Sequence, residues 1–324
     1  MTTAAAPRAL VTGANGFVAQ WALRAICERG WTVVAGSHDE PSSAGVLSAS
    51  QHASIEWVTL DVTDAAETRT VVRHARPDVV LHLAAVSHVP AAAKDPRAAW
   101  SVNVLGTVTL LDAIRTVRDD GACDPVVLVV GSAEEYGRHD PSDMPLDEVA
   151  DLRPLTVYAA TKVAQEIAAL QAARAHRLRV VCARSFNHSG AGQPSHFVLP
   201  GLVQRALALP RSGGTLALGN GDVVRDFLHV TDVVDAYLSL LERGEAGEVY
   251  NVCSGEGITV RDLAEAVLVR AGVTAGIAAE TSLTRPVDVP VLVGSNRKLR
   301  RATGWAPART RDDIIDDLIH AASR

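Results

Sequence analysis

Ser132, Tyr158 and Lys162 have side-chain types and spacing suited to moving a proton at a carbonyl or an alcohol. In Tyr158-Ala159-Ala160-Thr161-Lys162 a spacing of four puts Tyr158 and Lys162 on one face of a helix. A free phenol titrates near ~10, too high for proton exchange at neutral pH. A nearby ammonium favours the phenolate, so Lys162 is expected to lower the Tyr158 pKa. Tyr158 then gives a proton to a ketone or takes one from an alcohol. Taken alone, the pair also reads as ordinary neighbours on a surface helix. Lysine occurs only at positions 94, 162 and 298, which sets Lys162 apart in a chain that otherwise uses Arg. Ser132 follows the apolar run Val126–Val130 and Gly131, at the C-terminal end of an expected parallel strand, where open α/β sheets place their sites.

A second constellation is the loop Thr12-Gly13-Ala14-Asn15-Gly16-Phe17-Val18-Ala19 between the first apolar run and the first helix. A tight glycine turn lets backbone approach a pyrophosphate, and the helix N-terminus supplies N–H donors and a favourable dipole. Ala19 replaces the third glycine of the dinucleotide fingerprint, a small residue that still allows helix–sheet packing. Gly13, Asn15, Gly16, Phe17 and Val18 are therefore expected at a dinucleotide. Asp61 ends the third strand, where an acidic side chain meets an adenine amino group; helix capping is the competing role, and Asp64 fits that better. After strand two, a carboxylate favours NAD and an Arg favours the 2′-phosphate of NADP. Gly36-Ser37-His38-Asp39 places neither cleanly. Ser37 and His38 leave room for a phosphate, so NADP is expected, with NAD the alternative.

The elements that must hold these residues alternate strand and helix. Arg8–Thr12, Thr32–Ala35, Ile55–Val62, Asp78–Leu83, Val126–Val130 and Arg179–Arg184 read as strands. Phe17–Arg29, Ala65–Ala75, a long helix around Arg97–Arg118, and Tyr158–His176 read as helices. Continuous Val/Leu/Ile runs mark strands buried on both faces, as in a parallel sheet. The expected fold is α/β, a doubly wound parallel sheet of the Rossmann kind with a smaller C-terminal lobe. Residues 1–185 are expected to bind the dinucleotide. After a loop at Phe186–Gly192, residues 186–324 form an interleaved substrate lobe, with a helix at Phe197–Leu207, a strand at Thr215–Leu218 and a helix near Thr231–Leu241. Parts of 223–256, including a strand at Glu248–Val252, rejoin the sheet.

Bulk properties set limits. Hydrophobic residues make up 48% and charged residues 21% of 324, so disorder is not expected. The net charge is -6 with no basic stripe, against a nucleic-acid partner. No segment has the apolar run of a membrane span, and the N-terminus lacks the pattern of a signal peptide. Cys27, Cys123, Cys182 and Cys253 are spread through apolar stretches without ligand-like spacing. They are expected to be reduced, buried thiols in a cytoplasmic protein, with no metal site.

The order of glycine loop, strand-end Ser132 and Tyr158-x-x-x-Lys162 resembles the short-chain dehydrogenases across nearly the whole chain. Further stretches are similar to its extended, nucleotide-sugar branch: His82-Leu83-Ala84-Ala85, Arg184-Ser185-Phe186-Asn187-His188, Val224-Arg225-Asp226-Phe227 and Val249-Tyr250-Asn251-Val252. Gly131–Gly137, Phe186–Gln193, Tyr250–Gly255 and Arg285–Leu299 with Thr303-Gly304-Trp305 look like the reductases of GDP-4-keto-6-deoxy-mannose, which form GDP-rhamnose. The resemblance implies that Ser132 holds the reacting carbonyl, Tyr158 is the acid or base, and Lys162 also binds the nicotinamide ribose. It implies that Asn103 supports a water or backbone link to Lys162, and that Val62, Leu83, Ala84 and Ala85 line the cofactor. It places Ser87, Asn187 and Val198 at the substrate, with Arg225 and Arg285 as cationic contacts to a diphosphate. Pairing with Asp222 or Asp226 is the competing role for Arg225, and pairing with Asp288 for Arg285. A homodimer through the two long helices is also implied. The chain departs from the reductase pattern at Gly190-Ala191-Gly192-Gln193, where the second residue is often Pro, at Thr161, where Ser is usual, and in lacking an Arg after strand two.

Glu134 leaves the net reaction open. The related GDP-mannose 4,6-dehydratases carry Ser/Thr-x-Glu here as an acid/base for removing water, and Ser132-Ala133-Glu134 fits that as well. Three expectations follow: a ketosugar reductase, a dehydratase or epimerase that recycles its own cofactor, and a non-catalytic dinucleotide sensor. The sensor has no need of Ser132, Tyr158 and Lys162 together.

Overall fold

Apolar strands with no polar face need cover on both sides, and that need shapes the first lobe. The computed structural model describes residues 6–41, 45–210, 213–283 and 288–323. Strands β1 (Arg8–Thr12), β2 (Thr32–Ser37), β3 (Glu56–Thr59), β4 (Val79–His82), β5 (Val126–Ser132) and β6 (Arg179–Ser185) alternate with helices α1 (Phe17–Glu28), α2 (Ala49–Ser54), α3 (Ala65–Ala75), α4 (Val89–Lys94), α5 (Pro96–Trp100), α6 (Gly106–Asp119) and α7 (Val157–His176). The second part adds β7 (Asn187–Ser189), α8 (Val198–Leu207), β8 (Thr215–Leu218), β9 (Val224–His229), α9 (Val230–Arg243), β10 (Val249–Val252), β11 (Gly257–Thr259), α10 (Val260–Ala271), β12 (Gly276–Ala279), β13 (Val291–Leu292), α11 (Arg297–Thr303) and α12 (Arg311–Ala322).

The main sheet runs β10-β6-β5-β4-β1-β2-β3 with every pairing parallel. The order reverses between β1 and β4, and the crevice outside the strand ends at such a switch point is where open sheets bind ligands. One face packs on α1 and α9 through Leu23, Ile26, Tyr237 and Leu240. The other packs on α3, α6 and α7 through Val71, Leu110, Ile114 and Ala169. Each fully buried Leu or Ile contributes about 1.5–3 kcal/mol. A separate core, with Leu199, Leu202, Leu263 and Ile315, holds the second lobe together. There β9 pairs with β11, β13 and β7, and β8 with β12.

Several elements differ from the sequence reading. The long helix around Arg97–Arg118 is interrupted: α5 ends at Trp100, Ser101–Leu105 forms a π turn, and α6 begins at Gly106. A Cβ at Gly106 would lie 2.7 Å from a Val62 methyl, so the glycine admits α6 against the end of β3. The widened turn buries Asn103. The third strand is shorter than Ile55–Val62, and Asp64, not Asp61, caps the next helix by accepting from the N–H groups of Ala66 and Glu67. Phe186–Gly192 contains β7, paired with β9. The four cysteines are free, with Cys182 and Cys253 buried but Cys27 and Cys123 only half-buried. Among the described residues, no helix is long and apolar enough to cross a membrane.

Candidate active site

Ser132, Tyr158 and Lys162 meet on the wall of one cleft of about 500 Å³ between the two lobes. Thr156 caps α7 by accepting from Ala159 N–H, which sets the register that points Tyr158 and Lys162 inward. Ser132 is the last residue of β5, and its hydroxyl accepts from Glu134 N–H on the same cleft wall as the Tyr158 phenol. Lys162 Nζ donates to the Val130 carbonyl and to Gln165 Oε1, each at 2.8 Å. Burial pushes the Lys162 ammonium down to about 8, and the charge of Glu135 opposes the shift. Tyr158 differs from expectation. Burial raises its phenol, and the Ser132 hydroxyl only partly offsets this. Lys162 lies 6.0 Å from the Tyr158 ring centre and turns its head to Val130 and Gln165. Desolvation therefore outweighs the ammonium.

The glycine loop forms the other end of the cleft. Gly13 has φ +68°, and a Cβ there would lie 2.7 Å from Ala84 N. Only glycine lets the loop come this close to the end of β4. Gly16 caps α1 without a side-chain bond, which leaves the first N–H groups of the helix for an anion. This cradle fits a dinucleotide pyrophosphate. Gly13, Gly16, Phe17, Val18, Leu83 and Ala85 line the cleft. Asn15 instead ties the loop to the segment after β2, donating to the carbonyls of Asp39 and Glu40. Ser37 is buried at the end of β2. Asp61 accepts from Thr63 N–H and Oγ, which lowers its pKa. Val62 is buried against Gly106, and the Ala84 N–H bonds Thr12 Oγ1. His82 is a packed strand histidine, bonded to Thr12 and Thr107 and pushed down to about 3 by burial.

Asn103 reaches α7 one residue before Lys162. Its Oδ1 accepts from Val86 N–H, and its Nδ2 donates to the Val86 carbonyl and Thr161 Oγ1. It fastens the segment after β4 to the catalytic helix.

Of the substrate candidates, Ser87, Glu134, Asn187 and Val198 line the cleft, as does His88. Arg225 does not. It is buried and pairs with Asp288, a partner that neither Asp222 nor Asp226 supplies. Asp226 accepts from Ser254 N–H and Oγ and from the Gly255 N–H. Arg285 lies outside the described residues. Among the described residues lining the cleft, Lys162 is the only Lys or Arg.

Two groups escaped the sequence reading. His196 joins His88 and Phe197 in an aromatic edge, with ring centres 4.5 and 4.4 Å from His196. Behind the site lies a buried polar network. Arg184 clamps Glu166 with bonds of 2.8 and 2.7 Å and donates to Tyr136 Oη, which donates to Asn251 Oδ1. Glu135 joins it, accepting from Ser132 N–H at 2.6 Å. The available signal was Glu166, four residues after Lys162 and on the same helix face.

Residues 10–318 match the family described as GDP-mannose 4,6 dehydratase. A GDP-6-deoxy-D-mannose reductase of Pseudomonas aeruginosa is 35% identical over 94% of this chain and 93% of its own length. A UDP-glucose 4-epimerase of Azospirillum brasilense is 30% identical over 99% of this chain and 92% of its own. A solved structure of RMD from Pseudomonas aeruginosa, complexed with NADPH, superposes with a TM-score of 0.79 at 30% identity, covering 98% of this chain and 100% of that one.

Proposed function

The chain belongs to the GDP-mannose 4,6-dehydratase family, and on that footing we propose that it reduces the C4 ketone of a GDP-4-keto-6-deoxy-hexose to a GDP-6-deoxy-hexose of the GDP-rhamnose kind. It is an NAD(P)-dependent oxidoreductase of the extended short-chain dehydrogenase type. The observation that carries the reading is that Ser132, Tyr158 and Lys162 converge on one cleft wall, with the glycine cradle at the other end.

NADPH, or NADH as the alternative, supplies the hydride to the ketone carbon when bound. Gly13, Gly16, Phe17 and Val18 hold its pyrophosphate end, and Leu83 and Ala85 line its path. Asn15, Ser37, Asp61 and Val62 would serve the adenosine side, and Ala84 would back the pyrophosphate cradle beside Gly13. Ser132 donates to the ketone oxygen and fixes the carbonyl. Tyr158 transfers its phenolic proton to that oxygen, completing the alcohol. A phenol kept protonated by burial is in the right form to donate. Lys162 supports the developing phenolate through its charge. Ser87, Glu134, Asn187 and Val198 contact the sugar nucleotide. Arg225 and Arg285 remain the proposed cationic contacts to the diphosphate, although Arg225 is paired with Asp288 outside the cleft. In lobe terms, residues 1–185 with α9 and β10 serve the dinucleotide, and the rest of 186–324 serves the substrate.

Trp100, Leu105, Val108 and Ile167 are exposed apolar residues on the segment from α5 to α6 and on α7. They support a homodimer through these helices. The absence of a basic stripe and the spread, free cysteines support a cytoplasmic enzyme with no nucleic-acid partner.

Glu134 in the cleft favours a second reading, an internally recycling 4,6-dehydratase. Purified protein given NADPH and GDP-4-keto-6-deoxy-mannose should consume NADPH absorbance and form a GDP-6-deoxyhexose. No consumption, together with conversion of GDP-mannose in the absence of reductant, would establish the dehydratase instead.

A further inference from the structure

Glu135 has no part in the reaction just described, yet it is fully buried directly behind it. Its Oε1 accepts from Ser132 N–H at 2.6 Å, whereas its Oε2 has no hydrogen-bond partner. Arg184 comes no closer than an ion-pair contact of 3.8 Å, because its fork is committed to Glu166. The backbone makes room for the carboxyl: a Cβ at Gly131 would lie 2.4 Å from Oε1. Lys162 holds the same strand end, at the Val130 carbonyl. Backbone groups two residues apart on a strand face the same side, so Glu135 and Lys162 grip β5 along one edge.

An unsatisfied carboxyl in a core is costly and would be replaced by an apolar side chain if packing were its only role. We propose that Glu135 is a positioning residue for the proposed reductase: its carboxyl fastens the Ser132 backbone at the strand end that Lys162 also holds, and when ionised it keeps the Lys162 ammonium charged. The inference rests on the reductase reading for its purpose but not for its electrostatics.

The groups around Glu135 fix the direction. From α7 it faces Tyr158, Lys162 and Glu166, and from β6 Cys182 and Arg184. Glu134 and Tyr136 flank it in its own turn, and Glu148 and Tyr237 act on Tyr136 and Tyr158. His82 faces Lys162 from β4 and stays neutral. Burial and the Glu166 charge lift Glu135 well above the usual carboxylate range, and Arg184 and Lys162 pull it back. As Glu135 ionises, its charge keeps Lys162 protonated to higher pH. Without that charge the ammonium is lost at lower pH.

The chain's three lysines make this directly measurable. Protein labelled with ¹³C at the lysine ε carbon is titrated by NMR in the parent and in Glu135→Gln, with Lys162→Arg assigning the signal. Gln can still accept from Ser132 N–H but cannot ionise. The Lys162 midpoint should fall by about one pH unit while Lys94 and Lys298 stay in place. Should Glu135→Gln fail to fold, Glu135→Met keeps the length and removes the charge, and the same fall is expected. Superimposable Lys162 curves in parent and variant would overturn the proposal. The alkaline limb of kcat for NADPH oxidation should move down with the Lys162 midpoint, with the KM for the ketosugar unchanged. A shifted midpoint in a protein with no turnover would count against the reductase reading and leave the Glu135–Lys162 coupling standing.

Discussion

Tyr158 is the residue on which the chemistry turns, and its surroundings are drier than its spacing from Lys162 suggested. The side chain is buried, and the Ser132 hydroxyl only partly offsets the cost that burial puts on its phenolate. A buried phenol holds its proton until a developing alkoxide takes it, which suits reduction. Tyr158→Phe removes the proton and keeps the ring. It should lower kcat by about 10²–10⁴-fold and leave NADPH affinity within a factor of about two, as read by cofactor fluorescence. The motif made Tyr158, Lys162 and Ser132 legible from the sequence, since it depends only on local spacing and strand order. Arg225 was legible as a cation but not as a partner, because Asp288 is distant in sequence and meets it only across the folded lobe.

At the scale of elements, the cradle between β1 and α1 is the most exacting piece. Gly13 combines a positive φ with a backbone approach to Ala84. Gly13→Val adds strain of about 1–3 kcal/mol and pushes the loop off the end of β4. NADPH affinity should fall on the order of tenfold or more, and calorimetry of binding would measure it. The π turn at Ser101–Leu105 shows a different kind of element. By sequence the stretch reads as part of one long helix around Arg97–Arg118. What interrupts it is tertiary: Gly106 packing on Val62 and the Asn103 amide satisfying the Val86 backbone. No window of sequence holds those partners together.

At the scale of the whole molecule, Trp100, Leu105, Val108 and Ile167 are exposed apolar residues on the segment from α5 to α6 and on α7 of the first lobe. Leu105 is 60% and Ile167 61% exposed, on neighbouring elements. Paired across a two-fold axis, such a face buries itself against its own copy. The parent should sediment as a dimer, and Val108→Asp with Ile167→Asp should sediment as a monomer with its circular dichroism unchanged. A parent that sediments as a monomer would remove the dimer from the proposal.

By itself, the sequence determined the parallel sheet, the glycine cradle and the Ser132–Tyr158–Lys162 order. These rest on uninterrupted apolar runs and on spacings of a few residues, which local geometry converts directly into structure. The tertiary structure alone decided what surrounds them. It sent Arg225 to Asp288, brought His196 beside His88, and set Glu135 beneath Ser132 with Arg184 already taken by Glu166. Each of these depends on desolvation and on partners from distant segments. A carboxylate in a polar-looking stretch such as Ala133-Glu134-Glu135 therefore shows no sign in the sequence of which side chain faces the cleft and which the core.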